Sequence, residues 1–249
     1  MKFARYELND EIGYGVVDGN NIKVLDACPF TDCNETGETV ALDDVKILAP
    51  TRPSKVLAVG LNYRSHLGDA PEPQNPEIFI KTPSCINDPG GDIVLPSGDD
   101  EVHAEGELVV IMKELTSKAT PEEAAANILG VTCGNDVSAR TWQSNDMQWW
   151  RAKASDTFGP MGPFIATDID YSDLQLETRI NGDVVQSQTT GDLIFPVPVI
   201  VSFISQAITL NPGDAVYTGT PGTTTALKAG DVVEVEIEDI GVLSNPVVD

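Results

Sequence analysis

The chain has 249 residues and a hydrophobic fraction of 41%, enough to bury a substantial core as one large domain or as a main domain with a small appendage. Thirty-nine acidic residues against fifteen basic ones leave a formal net charge of −24, which argues against nucleic acid or an anionic membrane as a partner. No apolar run reaches the length of a membrane span, and Met1-Lys2-Phe3-Ala4-Arg5-Tyr6 lacks the apolar core of a secretion signal, so the cytoplasm is the expected compartment.

In chain order, residues 3–8, 12–17 and 22–25 read as short strands, with Asp18-Gly19-Asn20-Asn21 as a hairpin turn between the last two. A polar stretch follows, and Pro50-Thr51-Arg52-Pro53 marks a boundary. Residues 1–49 are expected to form a small β-rich appendage and residues 50–249 the larger domain, opened by the apolar strand Val56-Leu57-Ala58-Val59. Residues 69–76 are proline-rich without an apolar anchor and read as an exposed loop able to act as a lid. Further strands are expected at 78–80, 93–95, 108–112, 128–133, 214–218 and 232–238, and a hairpin at 175–188 around Asn181-Gly182-Asp183. Helices are few. Thr120-Pro121-Glu122-Glu123 carries a capping hydroxyl, a first-turn proline and acids at the positive end, and residues 199–208 read as a buried helix flanked by prolines. The fold class is therefore mostly β with short helices, an α+β protein.

Within this pattern Glu105 and Glu107 stand at the head of the unbroken apolar run Leu108-Val109-Val110-Ile111-Met112, which reads as a strand buried on both faces. Residues two apart on a strand share a side, so both carboxylates leave the core together and repel unless a cation lies between them. The pair reads either as an oxygen-ligand metal site or as glutamates on a solvated strand, the pattern of Glu234, Glu236 and Glu238 between Val235 and Ile237. Asp136 ends the apolar segment 128–133 that can lie beside the glutamate strand, and is otherwise a turn residue. Three carboxylates with room for water suit Mg²⁺ or Mn²⁺, then Ca²⁺, and do not suit zinc.

The two histidines have distinct settings. His103 can orient a ligand carboxylate from behind, or it is an edge histidine in a turn. His66 and Asp69 are three residues apart, close enough on a helical turn to form a base with its orienting carboxylate, or a surface capping pair. Lys153, between Trp149-Trp150-Arg151-Ala152 and a Gly/Pro-rich turn, can aim its ammonium at a developing oxyanion. Arg140 and Lys81 are candidates for a substrate carboxylate in a chain poor in positive charge, with internal ion pairs as the alternative. Cys28, Cys33, Cys85 and Cys133 form no metal-binding spacing and read as free thiols. The dispersed acidity fits a salt-rich cytoplasm, or simply an acidic protein.

Several segments in one order carry a resemblance: Val59-Gly60-Leu61-Asn62-Tyr63 with His66, Phe79-Ile80-Lys81, His103-Ala104-Glu105-Gly106-Glu107-Leu108, and Asn135-Asp136-Val137-Ser138-Ala139-Arg140. Ala152-Lys153, Asp156-Thr157-Phe158-Gly159-Pro160, Thr218-Gly219-Thr220-Pro221 and the run 240–247 continue it. Across most of residues 55–249 the chain resembles the fumarylacetoacetate hydrolase family in its compact, acylpyruvate hydrolase-like form. The resemblance implies a mixed β-sandwich-like barrel that dimerises through this domain. It implies Glu105, Glu107 and Asp136 as metal ligands, Lys153 as the oxyanion-side cation and His66 as the base in a mobile lid. It also implies Arg140, Gln143 and Thr220 as pocket residues. One position departs: hydrolases of this type tend to carry glutamate where Asp69 stands, one methylene longer.

A small 2-oxo acid is the expected substrate, chelated by the ion through its carboxylate and 2-oxo oxygen. The first expectation is an acylpyruvate-type C–C hydrolase in which His66, oriented by Asp69, activates water and Lys153 stabilises the oxyanion. Decarboxylation of oxaloacetate, isomerisation of a hydroxymuconate-like diacid and dehydration of a 2-keto-3-deoxy sugar acid need no water attack and tolerate Asp69 better. A catalytically silent metal-binding module is the non-enzyme alternative.

Overall fold

The computed structural model describes residues 1–98 and 101–249, and strands carry its architecture. The largest sheet runs, edge to edge, through Glu35–Ala41, Asn21–Leu25, Glu11–Asp18, Lys2–Leu8, Gly159–Ala166, Ile128–Asn135, Gly106–Met112, Ala215–Tyr217, Val56–Gly60 and Glu77–Lys81. A five-stranded sheet orders Asp183–Thr189, Gln175–Ile180, Val232–Ile237, Gly241–Val248 and Ile93–Val94. A small third sheet joins Ser138–Ala139, Val102–Ala104 and Thr225–Ala226. Each strand order is open-ended among the described residues, so the sheets pack as layers and do not close into a barrel.

The three N-terminal strands lie where their alternation placed them, and they share a sheet with the rest of the chain. Lys2 and Phe3 pair antiparallel with Ala166 and Ile165. The polar stretch that follows contains a strand that hydrophobic periodicity could not reveal. Glu35–Ala41 is almost wholly exposed at the sheet edge, where pairing with Asn21–Leu25 needs no apolar residues.

Gly106–Met112 is buried along its entire length, as expected of a strand covered on both faces. It pairs antiparallel with Ile128–Asn135, Leu108 opposite Cys133, and with Ala215–Tyr217, Val109 opposite Tyr217. Alternate side chains enter different cores. Leu108, Val110 and Met112 meet Ile200, Ile204, Val235 and Leu243, while Val109 and Ile111 meet Val56, Met161, Ile165 and Tyr217. Burying each such side chain is worth roughly 1.5–3 kcal/mol, so the segment that presents the glutamates hangs from a strand anchored on both faces.

The helix Pro121–Ala126 carries the expected capping box: Glu123 N donates to Thr120 Oγ1 (3.3 Å), and Thr120 N to Glu123 Oε2 (2.8 Å). The buried helix spans Val197–Ser205, starting two residues before the expected 199 because Pro198 fits its first turn. Val232–Ile237 is half-exposed, and its Glu234 and Glu236 share Arg179 with Glu177. All four cysteines are free, and no helix among the described residues is long and apolar enough to cross a membrane.

Candidate metal centre and active site

Glu105 immediately precedes the buried strand and Asp136 immediately follows its antiparallel neighbour, so one end of a β-ladder brings all three carboxylates together. Their nearest oxygens lie within 4.8 Å of one another, and all three residues are buried. The backbone pins them: Asp136 N donates to Glu105 O (2.9 Å), Glu105 N to Asn135 Oδ1 (2.9 Å) and Gly219 N to Glu107 Oε2 (2.8 Å).

Three cations surround this cluster. Lys153, on the short helix Trp150–Ala154, donates to Glu105 Oε2 (2.6 Å) and Asp136 Oδ2 (2.7 Å), with its ammonium 5.2 Å from the Phe79 ring centre. Arg140 donates through Nη2 to Glu105 Oε1 and to Thr224 Oγ1 (2.8 Å), and through Nη1 to Gln143 Oε1 (2.8 Å). Lys81 forms the internal ion pair that was its alternative reading. Its ammonium is fully buried and donates to Asp136 Oδ1 (2.5 Å), Phe158 O (3.0 Å) and Lys153 O. An ammonium has three protons to donate, and all three meet protein acceptors, so Lys81 braces Asp136.

Electrostatics divides the carboxylates. Burial pushes Glu105 up, but Lys153 and Arg140 overcome it and hold its carboxyl at about 2. Glu107 is driven the other way. Burial, then Asp136 and Glu105, raise it well above the ordinary carboxylate range, with Lys153 and the Gly219 N–H as the opposing influences. Burial alone would lower Lys153, yet Asp136 and Glu105 raise it, so it stays an ammonium at neutral pH. Glu107 is thus the carboxylate the cations leave under-compensated. An oxygen-only donor set with one such anion fits a hard divalent ion, which would take the place of a proton on Glu107.

A cavity of about 50 Å³ opens onto the cluster, lined also by His66, Lys153, Arg140, Gln143, Thr220 and the aromatic pair Phe79 and Trp149. His66 lies on the helical turn Arg64–Leu67, as expected, but the dyad with Asp69 does not form. Gly68 leaves the helix with φ +56° and ψ −123°, which breaks the three-residue spacing and sends Asp69 to the surface. The partner of His66 Nδ1 is the carbonyl of Gly222. A carbonyl only accepts, so Nδ1 is the donor in this contact and Nε2 is the ring nitrogen left for other partners. The turn is clasped to the 218–222 loop by Gly222 N donating to Ser65 Oγ (3.2 Å). His103 reaches Glu105 only indirectly: its Nδ1 is 2.8 Å from Thr224 Oγ1, the hydroxyl that also accepts from Arg140.

Two contributors escaped the sequence reading. Thr224, in the loop before a two-residue strand, anchors Arg140, and Gln186, on Asp183–Thr189, reaches across to the glutamate segment. Gln186 is the one buried polar residue among mostly exposed neighbours on its strand, a signal visible only once the strand's inward face is known.

Residues 55–248 match the family model described as fumarylacetoacetate (FAA) hydrolase C-terminal, and residues 1–50 match one described as Rv2993c-like, N-terminal. The chain is 48% identical over 214 residues to an uncharacterised protein of Archaeoglobus fulgidus, covering 85% of this chain and 86% of that one. It is 35% identical to the mitochondrial oxaloacetate tautomerase fahd2 of Xenopus laevis, covering 100% and 90%. Among solved structures, 5-carboxymethyl-2-hydroxymuconate delta-isomerase from Mycobacterium smegmatis superposes with a TM-score of 0.94 at 42% identity, covering 100% and 99%.

Proposed function

From the premise that this chain belongs to the fumarylacetoacetate hydrolase family, we propose that it is a divalent-metal-dependent enzyme that moves a proton between carbon and oxygen in a small 2-oxo diacid, a keto–enol isomerase. The observation that carries this reading is the setting of His66: it donates from Nδ1 to the Gly222 carbonyl, lines the carboxylate cavity, and has no carboxylate partner in Asp69. A lone imidazole suffices to take and return a proton at carbon. Hydrolysis asks more, since water must be both activated and aimed.

Glu105, Glu107 and Asp136 are the residues that would hold the ion, Mg²⁺ or Mn²⁺ by donor type, and the bound ion would polarise the 2-oxo group as a Lewis acid. The protein supplies the remainder. Lys153 and Arg140 place fixed positive charge beside the site where the substrate's oxygens gather charge. His66 Nε2 accepts the proton from the carbon next to the 2-oxo group and delivers it in the reverse direction, a role worth typically 10²–10⁴-fold in rate. Phe79 and Trp149, edge to face at 5.4 Å, form an apolar wall that limits water beside the reacting carbon. The similarity to an oxaloacetate tautomerase and to a hydroxymuconate isomerase supports the same reaction class.

The test is a panel in Mg²⁺: ketonisation of enol oxaloacetate, isomerisation of a hydroxymuconate-type diacid, decarboxylation of oxaloacetate, dehydration of a keto-deoxy sugar acid and hydrolysis of an acylpyruvate. The proposal expects isomerisation of a diacid to have the highest kcat/KM. Faster acylpyruvate hydrolysis would overturn it in favour of a C–C hydrolase.

A further inference from the structure

Gly106, the residue between the two glutamates, is held at both of its backbone polar groups by residues outside its own sheet. Gly106 N donates to Gln186 Oε1 (3.0 Å), and Gly106 O accepts from Thr220 Oγ1 (2.9 Å). The Gln186 amide nitrogen closes the loop, donating to Thr220 Oγ1 (2.9 Å) and to Pro221 O (2.7 Å). Gln186 and Thr220 are 5% and 4% exposed, so these bonds form away from water, where an unpaired partner is costly.

The approach that permits this is tight. A Cβ on Gly106 would stand 2.0 Å from Thr178 Oγ1, so only glycine lets the hairpin Gln175–Ile180/Asp183–Thr189 come this near the glutamate segment. The Thr220 hydroxyl proton is spent on Gly106, which leaves its oxygen able to face the cavity only as an acceptor.

We propose that Gln186 is a positioning residue that, together with Thr220, clamps the two peptides meeting at Gly106 and so sets the spacing of the Glu105 and Glu107 carboxylates. The proposal rests on the metal reading above. Gly106 N–H belongs to the peptide with Glu105 and Gly106 C=O to the peptide with Glu107, so rotation about the Gly106 φ or ψ would turn the two glutamates relative to each other, and the clamp holds both peptides. The five-stranded sheet thereby contributes to a site whose ligands all lie at the end of a different sheet.

The experiment titrates Mn²⁺ by calorimetry into the full chain and into the variants Gln186→Leu, Thr220→Val, Thr220→Ser and Ser187→Ala. Ser187 is exposed on the same strand and bonds Gln175, which makes it the control. The proposal expects Gln186→Leu and Thr220→Val each to weaken Mn²⁺ binding by about 10-fold or more, the scale for residues that orient ligands. Thr220→Ser, which keeps the hydroxyl, should restore binding to near wild type, Ser187→Ala should leave it unchanged, and the Gln186→Leu/Thr220→Val double variant should lose little more than either single. Wild-type affinity in both Gln186→Leu and Thr220→Val would overturn the proposal, as would an equal loss in Thr220→Ser and Thr220→Val or in the Ser187 control. Should Gln186→Leu fail to fold, the Ser and Val variants of Thr220 decide the matter. A wild-type chain that binds no Mn²⁺ overturns the metal reading itself, a result distinct from a wild type that binds and variants that match it.

Discussion

Replacing Glu107 by glutamine should make the ion-free protein more stable while destroying its ability to be stabilised by a divalent ion. Glu107 is buried, receives one backbone N–H and sits with Asp136 and Glu105 inside a 4.8 Å cluster. At an effective dielectric of ~20, one carboxylate pair at that distance repels by about 3.5 kcal/mol. Lys153 offsets part of this, which leaves a net penalty on the order of 1–3 kcal/mol when Glu107 is charged. Glutamine keeps the shape, can still accept from Gly219, and offers N–H groups to the neighbouring carboxylates. For a chain of this length the gain corresponds to about 2–12 °C in Tm. The sign with pH follows from the raised Glu107 carboxyl. A group whose folded pKa is raised adds stability while protonated and loses it as pH rises through the folded value, so the advantage of Glu107→Gln should be small near pH 5 and grow toward pH 8. Thermal melts in chelator and in excess Mg²⁺, at both pH values, provide the assay. A variant less stable than wild type in chelator at pH 8, or one that Mg²⁺ still stabilises fully, would refute the reasoning.

His66→Ala should lower proton transfer by 10²-fold or more with Mg²⁺ affinity unchanged, whereas Asp69→Ala should stay within about 2-fold of wild type, since exposed substitutions away from the chemistry change little; equal losses in the two would restore the dyad expected from their spacing. Tm should climb as KCl rises into the molar range, because screening relieves repulsion within a net charge of −24, and a flat or falling Tm would contradict this. Native alkylation at pH 8 should label the partly exposed Cys28 and Cys33 first, and reach Cys85 and Cys133 only on unfolding, because both are buried and burial holds the Cys133 thiol up at about 12; mass spectrometry counts the adducts.

Much of the architecture was legible because its strongest signals were local. The unbroken run after Glu107 announced a doubly covered strand, and Thr120 with Glu123 announced a helix start. Glu35–Ala41 was not legible, since an edge strand facing water leaves no hydrophobic trace. At the site, strand alternation put Glu105 and Glu107 on one side, while Asp136 on its own read equally as a turn residue and joined them only through the family resemblance. Lys81 and Asp69 lie in settings that their local sequence did not announce, for opposite reasons. Flanking residues do not say on which side of a strand a lysine's head finds partners, and Gly68 redirected a chain whose spacing alone suggested contact. Gln186 and Thr224 act across 80 and 84 residues of sequence, and no spacing rule connects them to Gly106 or Arg140.

The central claim is proton movement at carbon next to a 2-oxo group, dependent on a divalent ion and on His66. Its most direct measurement is proton–deuterium exchange at that carbon in a small 2-oxo diacid, followed by NMR in D₂O with Mg²⁺ or with chelator, for wild type and His66→Ala. The account predicts rapid exchange only for wild type with Mg²⁺, without net cleavage of the substrate. Exchange no faster than the uncatalysed background in the presence of Mg²⁺, or exchange undiminished in His66→Ala, would contradict it.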